Sequence, residues 1–290
     1  MGCSLVTGTP ECGCVGERAM GHGRRPLATT VDVTVASAAR MHDFFLSGRD
    51  NYPADQTACE GLLELAPNAA LLAEAQRAFM LAAVRRLAFD HGVRQFIDFG
   101  CGLPTWVNTH QVAQDISASS KVVYVDRDPL VVAHGRAVLE DDGATVVVQG
   151  DLLDGPRLFG HSRVADLIDL SQPVAVLMVS VLQCVPDRDE PLEAVAQLTK
   201  ALPAGSFVVL SQWASEDHHL RKRVTDFMHS ATRGKWGKVR SAEETSRFFS
   251  GLTLTEQGLG AISGCRAGHP GCDGHHGLIE YGGIGRVAQR

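Results

Sequence analysis

The sequence has no apolar run long enough to cross a bilayer, so no membrane partner is expected. It has no basic excess: 27 Lys and Arg against 33 Asp and Glu give a formal net charge of -6. A global electrostatic footprint for nucleic acid is therefore missing. The start lacks a charged segment followed by an apolar core, the pattern of a secretory signal. Met1-Gly2-Cys3-Ser4 superficially fits an acylation start, but Val6 stands where Ser or Thr is required. A disulfide framework is also missing. Of the eight cysteines, Cys59, Cys101 and Cys184 lie apart in the middle of the chain and the rest sit near its two ends. A reducing, cytoplasmic setting is the expectation.

What is present is an ordinary globular composition, 44% hydrophobic and 21% charged over 290 residues. That length builds one large α/β domain or two small ones with a sizeable core. Residues 1–35 are rich in Gly, Arg, Pro and Cys without periodicity and are expected to be disordered, and Met20 is an alternative start. Cys12-Gly13-Cys14 has the wrong spacing for half of a zinc site. Residues 36–92 read as an N-terminal helical cap with helices over 36–46, 54–65 and 68–90. The third carries Leu71, Leu72, Ala75, Phe79, Val84 and Leu87 at helical spacing. The whole cap is expected to lie over the ligand edge of a sheet formed by the remaining residues.

Residues 93–290 alternate apolar strands with helices of 10–15 residues. Strands are predicted over 95–99, 122–126, 145–149, 174–180 and 207–212, with helices over 106–117, 129–140, 191–202 and 217–230. This pattern predicts a doubly wound α/β fold with a mostly parallel, Rossmann-like sheet buried on both faces. A last pair, over 252–257 and from 278 onward, closes the sheet as an antiparallel hairpin. The stretch between, 258–277, reads as an irregular loop. Its Cys265, His269, Cys272, His275 and His276 are metal-ligand types, but the surrounding glycines and the spacing favour a flexible loop, and no metal is expected. Arg221-Lys222-Arg223 and the basic residues after it read as a solvated face, and no nucleic-acid partner is expected despite Trp236 among them.

The chemistry concentrates in residues 94–126. A strand runs into Asp98 and the turn Gly100-Cys101-Gly102, a helix comes next, and a second strand ends in Asp126. A dinucleotide site wants a third glycine so that pyrophosphate can sit on the helix N-terminus. Here Thr105 holds that position, and Pro104 removes an amide donor. S-adenosylmethionine has no phosphate and fits instead. Asp98 accepts from its ammonium group, Gly100 and Gly102 leave room for the methionine chain, and Asp126 takes the ribose hydroxyls. Asp151, after the third strand, accepts from the adenine amino group. Carboxylates at successive strand ends line one crevice. Thr105, Arg127, Leu152 and Ser180 are placed as further cofactor contacts, with Asn51 and Arg49 reaching it from the loop before the second cap helix.

Several blocks carry a resemblance: the run from Ala39 to Asp55 with Ser47-Gly48-Arg49-Asp50-Asn51-Tyr52-Pro53, Asp98-Phe99-Gly100-Cys101-Gly102-Leu103-Pro104-Thr105, Val125-Asp126-Arg127-Asp128-Pro129, Val185-Pro186-Asp187, and Tyr281-Gly282-Gly283-Ile284-Gly285-Arg286. Over residues 39–286 the chain resembles the actinobacterial S-adenosylmethionine methyltransferase family long catalogued as a domain of unknown function. The resemblance implies a class I methyltransferase fold and S-adenosylmethionine as cofactor, but no substrate. Where that family commonly has Leu-His-Phe-Val after the fourth strand, this chain has Leu182-Gln183-Cys184-Val185. Where it has Ser-His after the fifth, this chain has Ser211-Gln212-Trp213. Its His-Glu pair on the first helix of the sheet is His110-Gln111 here, and Trp-Arg-Pro near the end becomes Cys265-Arg266-Ala267. Two imidazoles have become amides, which orient groups but take no proton near neutrality.

The leading expectation is methyl transfer to a small molecule in secondary metabolism. The alternative is cyclisation of the aminobutyryl arm of S-adenosylmethionine to an azetidine or cyclopropane amino acid, with methylthioadenosine released. A third is binding without catalysis. His42, Tyr52, Gln183, Gln212 and Trp213 are the candidates to hold or activate the reacting group, Trp213 and Tyr52 by facing the sulfonium. A small-molecule substrate is the expected partner, and a homodimer is allowed.

Overall fold

The computed structural model describes residues 27–140, 143–262 and 277–288. Three helices come first: α1 (Ala38–Phe45), α2 (Pro53–Leu65) and α3 (Ala69–Asp90). Each junction has a local cause. Asp43 accepts from the Asp50 amide and the Asn51 side chain, which folds the turn after α1 back on itself. Pro53 then opens α2 at a position that needs no amide donor.

The α/β region continues as β1 (Gln95–Phe99), α4 (Thr109–Ile116), β2 (Lys121–Asp126), α5 (Pro129–Leu139), β3 (Thr145–Gln149), a kinked 3₁₀ stretch (Leu152–Gly160) and α6 (Ser162–Ala165). Then come β4 (Ala175–Val179), α7 (Pro191–Ala201), β5 (Phe207–Ala214), α8 (His218–Ala231), α9 (Ala242–Ser246), β6 (Leu252–Ala261) and β7 (Ile279–Val287). The strands make one sheet in the order β3-β2-β1-β4-β5-β7-β6. The first five pair in parallel, and β7 runs antiparallel to both β5 and β6. The expected doubly wound fold and its closing hairpin are therefore present.

Every residue of β1, β4 and β5 is buried, as strands covered by helices on both faces must be. Ile97, Val123, Val176 and Met178 point to one face, against Val195 and Leu198 of α7. Phe96, Val122, Leu177 and Val209 point to the other, against Val84 and Leu87 of α3 and Val112 of α4. Alternation along each strand divides these two cores.

Three details differ from the expectations. The helix predicted over 106–117 begins at Thr109, because Asn108 and Gln111 form a reciprocal capping box there and Trp106 is left 97% exposed. The third helix does not belong wholly to the cap: Leu72 and Ala73 join the cap cluster, while Met80, Val84 and Leu87 pack on the sheet. Residues 27–35, expected to belong to a disordered tail, carry defined contacts. The Gln149 side chain donates to Ala28 O, and Val35 is buried. Residues 1–26 and the Cys/His cluster over 265–276 lie outside the described residues. Among the described residues no helix is long and apolar enough to cross a membrane, and no cluster of metal-ligand types is present.

Candidate active site

The strand order reverses between β1 and β4, and a cavity of about 280 Å³ opens there at the carboxyl ends of the strands. Such a switch point is where open α/β sheets bind ligands, because adjacent connections leave to opposite faces. The turn Gly100-Cys101-Gly102 after β1 lines the cavity. Gly100 and Gly102 both have φ near +65°, a region where a side chain would be strained. A Cβ on Gly100 would also run into Val181, whereas one on Gly102 would point into open space. Gly102 therefore leaves its free volume open, whereas Gly100 gives its own to Val181.

Asp98, Asp126 and Asp151 line one side of the cavity and are all nearly buried. Asp98 Oδ2 accepts from the Thr109 hydroxyl at 2.8 Å. Burial pushes the Asp98 carboxyl up to about 6, against the opposing pull of Thr109 and the Arg77 charge. Asp126 accepts from the Asp128 amide at 2.9 Å and the Gly102 amide at 3.1 Å, and burial again holds it at about 6. Asp151 accepts from the Leu153 amide at 3.0 Å and pairs with Arg127 at 3.4 Å. Thr105, Arg127, Leu152 and Ser180 line the same cavity. These desolvated carboxylates and the open Gly102 suit a ligand bearing a cation at one end and hydroxyl and amino donors at the other. S-Adenosylmethionine has that layout, so the residues present fit it.

The opposite wall is apolar. Met41 and Phe45 of α1, Trp213 at the end of β5, Met228 of α8 and Trp236 close the cavity. Trp213 and Trp236 pack with ring centroids 5.4 Å apart. Trp236 is therefore a buried wall residue, which removes it from any surface for nucleic acid. His42 faces the cavity, and desolvation, helped by the Arg77 charge, drives its imidazole down to about 4, so it stands neutral. Gln183 lines the cavity, and its Nε2 donates to Ser180 Oγ at 2.6 Å. Its Oε1 has no hydrogen-bond partner among the described residues.

Four expected site residues do not line the cavity. Gln212 is fully buried away from the cavity, donating to Thr245 Oγ1 and accepting from Arg240, which also holds Asp187 and the carbonyls of Leu182 and Val185. Its amide uses both its donor and its acceptor there, so neither end faces the cavity. Tyr52 caps α2 and lies under the Arg40 guanidinium, 5.5 Å from it, rather than over the cavity. Asn51 closes the loop after α1 through Asp43, Gly48 O and Gln56. Arg49 is exposed on that same loop. Of the two imidazole-to-amide exchanges, only the one at Gln183 touches the cavity.

Two residues join the site without having been predicted. Arg77 reaches from α3 to Thr105 Oγ1 at 2.5 Å and lies close enough to influence both Asp98 and His42. Nothing in the sequence sets it apart from Arg85 and Arg86 on the same helix. Glu280 of β7 is completely buried behind Ser180, between Ser211 Oγ at 2.5 Å and Ser180 Oγ at 3.3 Å. A lone Glu ahead of a glycine-rich stretch gives no hint of such a position.

The family model described as S-adenosyl methyltransferase matches residues 24–288. A DUF574 family protein from Streptomyces avermitilis has a similar structure, with a TM-score of 0.79 at 32% identity over 88% of this chain and 99% of that one. A protein from Thermobifida fusca gives a TM-score of 0.80 at 30% identity over 89% of this chain and 97% of its own. No curated protein matches the sequence. The family's cofactor is the one the three carboxylates fit. The chain belongs to the S-adenosyl methyltransferase family.

Proposed function

We propose that this protein transfers the sulfonium methyl group of S-adenosylmethionine to a small-molecule acceptor. Asp98 holds the ammonium end, Gly100 and Gly102 pass the methionine chain, Asp126 takes the ribose hydroxyls, and Asp151 meets the adenine amino group with Arg127 and Leu152 beside it. The observation that carries this reading is that one cavity has two unlike ends. Carboxylates at three strand ends line the first, and Met41, Phe45, Trp213 and Trp236 line the second, with Ser180 and Gln183 between them. The sulfonium is already an activated leaving group, so the residues must chiefly align the acceptor and keep water out. An enclosed apolar wall supports both tasks and favours a compact acceptor over a polymer.

Neutral His42 faces the cavity as a hydrogen-bonding group rather than as a cation, which avoids repelling a sulfonium. Titration calorimetry with S-adenosylmethionine and S-adenosylhomocysteine tests the cofactor assignment, and binding of both is expected. Incubation with S-adenosylmethionine alone tests the chemistry. Methylthioadenosine and a cyclic amino acid formed without an acceptor would overturn methyl transfer as the main reaction. Acceptor-dependent S-adenosylhomocysteine supports it.

A further inference from the structure

Methylation of an O–H or N–H group releases a proton, and the apolar side of the cavity offers no ready base to take it: His42 is held neutral at about 4, and the position after β4 is Gln183. A path does lead out of the cavity. Ser180 sits on the wall in a left-handed backbone conformation, φ 57°, that turns its hydroxyl back toward β7. Its Oγ accepts from Gln183 Nε2 at 2.6 Å and donates to Glu280 Oε2 at 3.3 Å. The other Glu280 oxygen accepts from Ser211 Oγ at 2.5 Å. Among the described residues no positive charge is paired with Glu280, and it is fully buried. A completely buried carboxylate without a cation is costly to maintain for packing alone, since an apolar residue would fill the space better.

We propose that Glu280, acting through Ser180, receives the proton lost by a phenolic acceptor seated against Trp213 and Trp236. The proposal rests on the methyltransferase reading. The acceptor oxygen attacks the methyl carbon, the C–O bond forms as the S–C bond breaks, and the electron pair stays on sulfur. The phenolic proton passes to Ser180 Oγ while the Ser180 proton passes to Glu280 Oε2, so the carboxylate ends as a carboxylic acid. Water recovers that proton when the products leave. Ser180 Oγ has a second lone pair to accept from the phenol while Gln183 occupies the first. The flat, uncharged wall of Trp213 and Trp236 selects an aromatic ring, and the ring keeps the attacking oxygen acidic enough for a short relay. Burial pushes the Glu280 carboxyl up to about 8, so the proton-accepting carboxylate is the lesser form at pH 7 and prevails above about 8, where the relay runs fastest.

The test uses the full chain saturated with S-adenosylmethionine and three phenols of graded acidity: para-nitrophenol, phenol and para-methoxyphenol. Methyl ether formation is expected from wild type. E280Q keeps the shape, with one of the two serine contacts reversed so that the amide NH2 donates to it, and should slow phenol and para-methoxyphenol by about a hundredfold or more. It should slow para-nitrophenol, already ionised at the assay pH, only a few-fold. S180G removes the relay oxygen at a backbone position glycine accepts, and should reproduce that split. Difference infrared spectra of wild type against E280Q should show a protonated-carboxyl band that fades as the pH rises through about 8. An equal loss across the three phenols, or none, would overturn the relay and leave Glu280 a packing residue. Turnover of none of them while calorimetry shows cofactor binding overturns the phenolic class but leaves the methyltransferase reading intact. Absence of cofactor binding would instead defeat that reading itself.

Discussion

Asp98 and Asp126 enter the cavity as carboxyl groups that burial holds at about 6, so they gain protons within an ordinary assay range. The direction of the effect depends on what each must do. The ionised form accepts from an ammonium or from ribose hydroxyls, whereas a protonated oxygen loses that acceptor. S-Adenosylmethionine affinity is therefore expected to hold above about pH 7 and to fall below about 6, by up to about tenfold per pH unit for each group. Calorimetry across that range checks it, and a flat profile would contradict the assignment of both residues. Asp126→Ala should weaken binding at least tenfold at neutral pH, since a hydrogen bond to a charged group contributes about 1.5–3 kcal/mol. Unchanged affinity would remove Asp126 from the ribose site. The place of the three aspartates on the cavity was legible in sequence because each lies within two residues of the end of an apolar strand, and strand ends in this fold share one edge. Gln212 was not, although it also lies near a strand end. Its partners Thr245 and Arg240 come from a segment about 30 residues further on, and nothing local announces them.

At the scale of elements, β7 shows how much a single close approach decides. Gly282 lies opposite Ser211 of β5, and a Cβ there would collide with Leu210 O and Ser211 itself. Gly282→Ala should cost about 1–3 kcal/mol through overpacking, read as a lower midpoint in chemical denaturation. Because Ser211 holds Glu280, the same change should disturb phenol turnover more than cofactor affinity. Leu177→Ala in fully buried β4 should cost about 2–5 kcal/mol by leaving a cavity between the sheet and α3. The parallel strands were readable to within a residue or two because burial on both faces makes them continuous apolar runs. The double role of α3 was not, since its apolar residues spread around the helix and periodicity alone does not say which end meets the cap and which the sheet. The true start of α4 was likewise hidden: Trp106 and Val107 suit a helix by composition, and only the pairing of Asn108 with Gln111 sets its first turn.

For the molecule as a whole, the segment 27–37 links the two ends of the cavity. The Gln149 side chain at the end of β3 holds Ala28 O, and Ser37 Oγ donates to Asp128 beyond β2. From the cap side, the buried Arg40 side chain donates to Val35 O and, at 3.3 Å, to Asp32 O, while its Nε pairs with Asp55 at 2.8 Å. Asp55 in turn accepts from the Ser37 and Tyr52 amides. Val31, Val35 and Ala36 of this segment line the cavity, so the strap that joins cap to sheet also forms part of the wall around the ligand. Arg40→Ala leaves Asp55 buried without its cation and should destabilise the protein by about 3–5 kcal/mol. Pairing Arg40→Met with Asp55→Leu should recover only part of that loss, because the Ser37 and Tyr52 amides then lack their acceptor. Hydrogen exchange distinguishes this from a general softening: in Arg40→Ala the amides of residues 28–37 should exchange faster than those of β1 and β4, and added S-adenosylmethionine should slow them again. Equal acceleration in strap and strands would mean that Arg40 supports the fold as a whole and not the wall over the ligand.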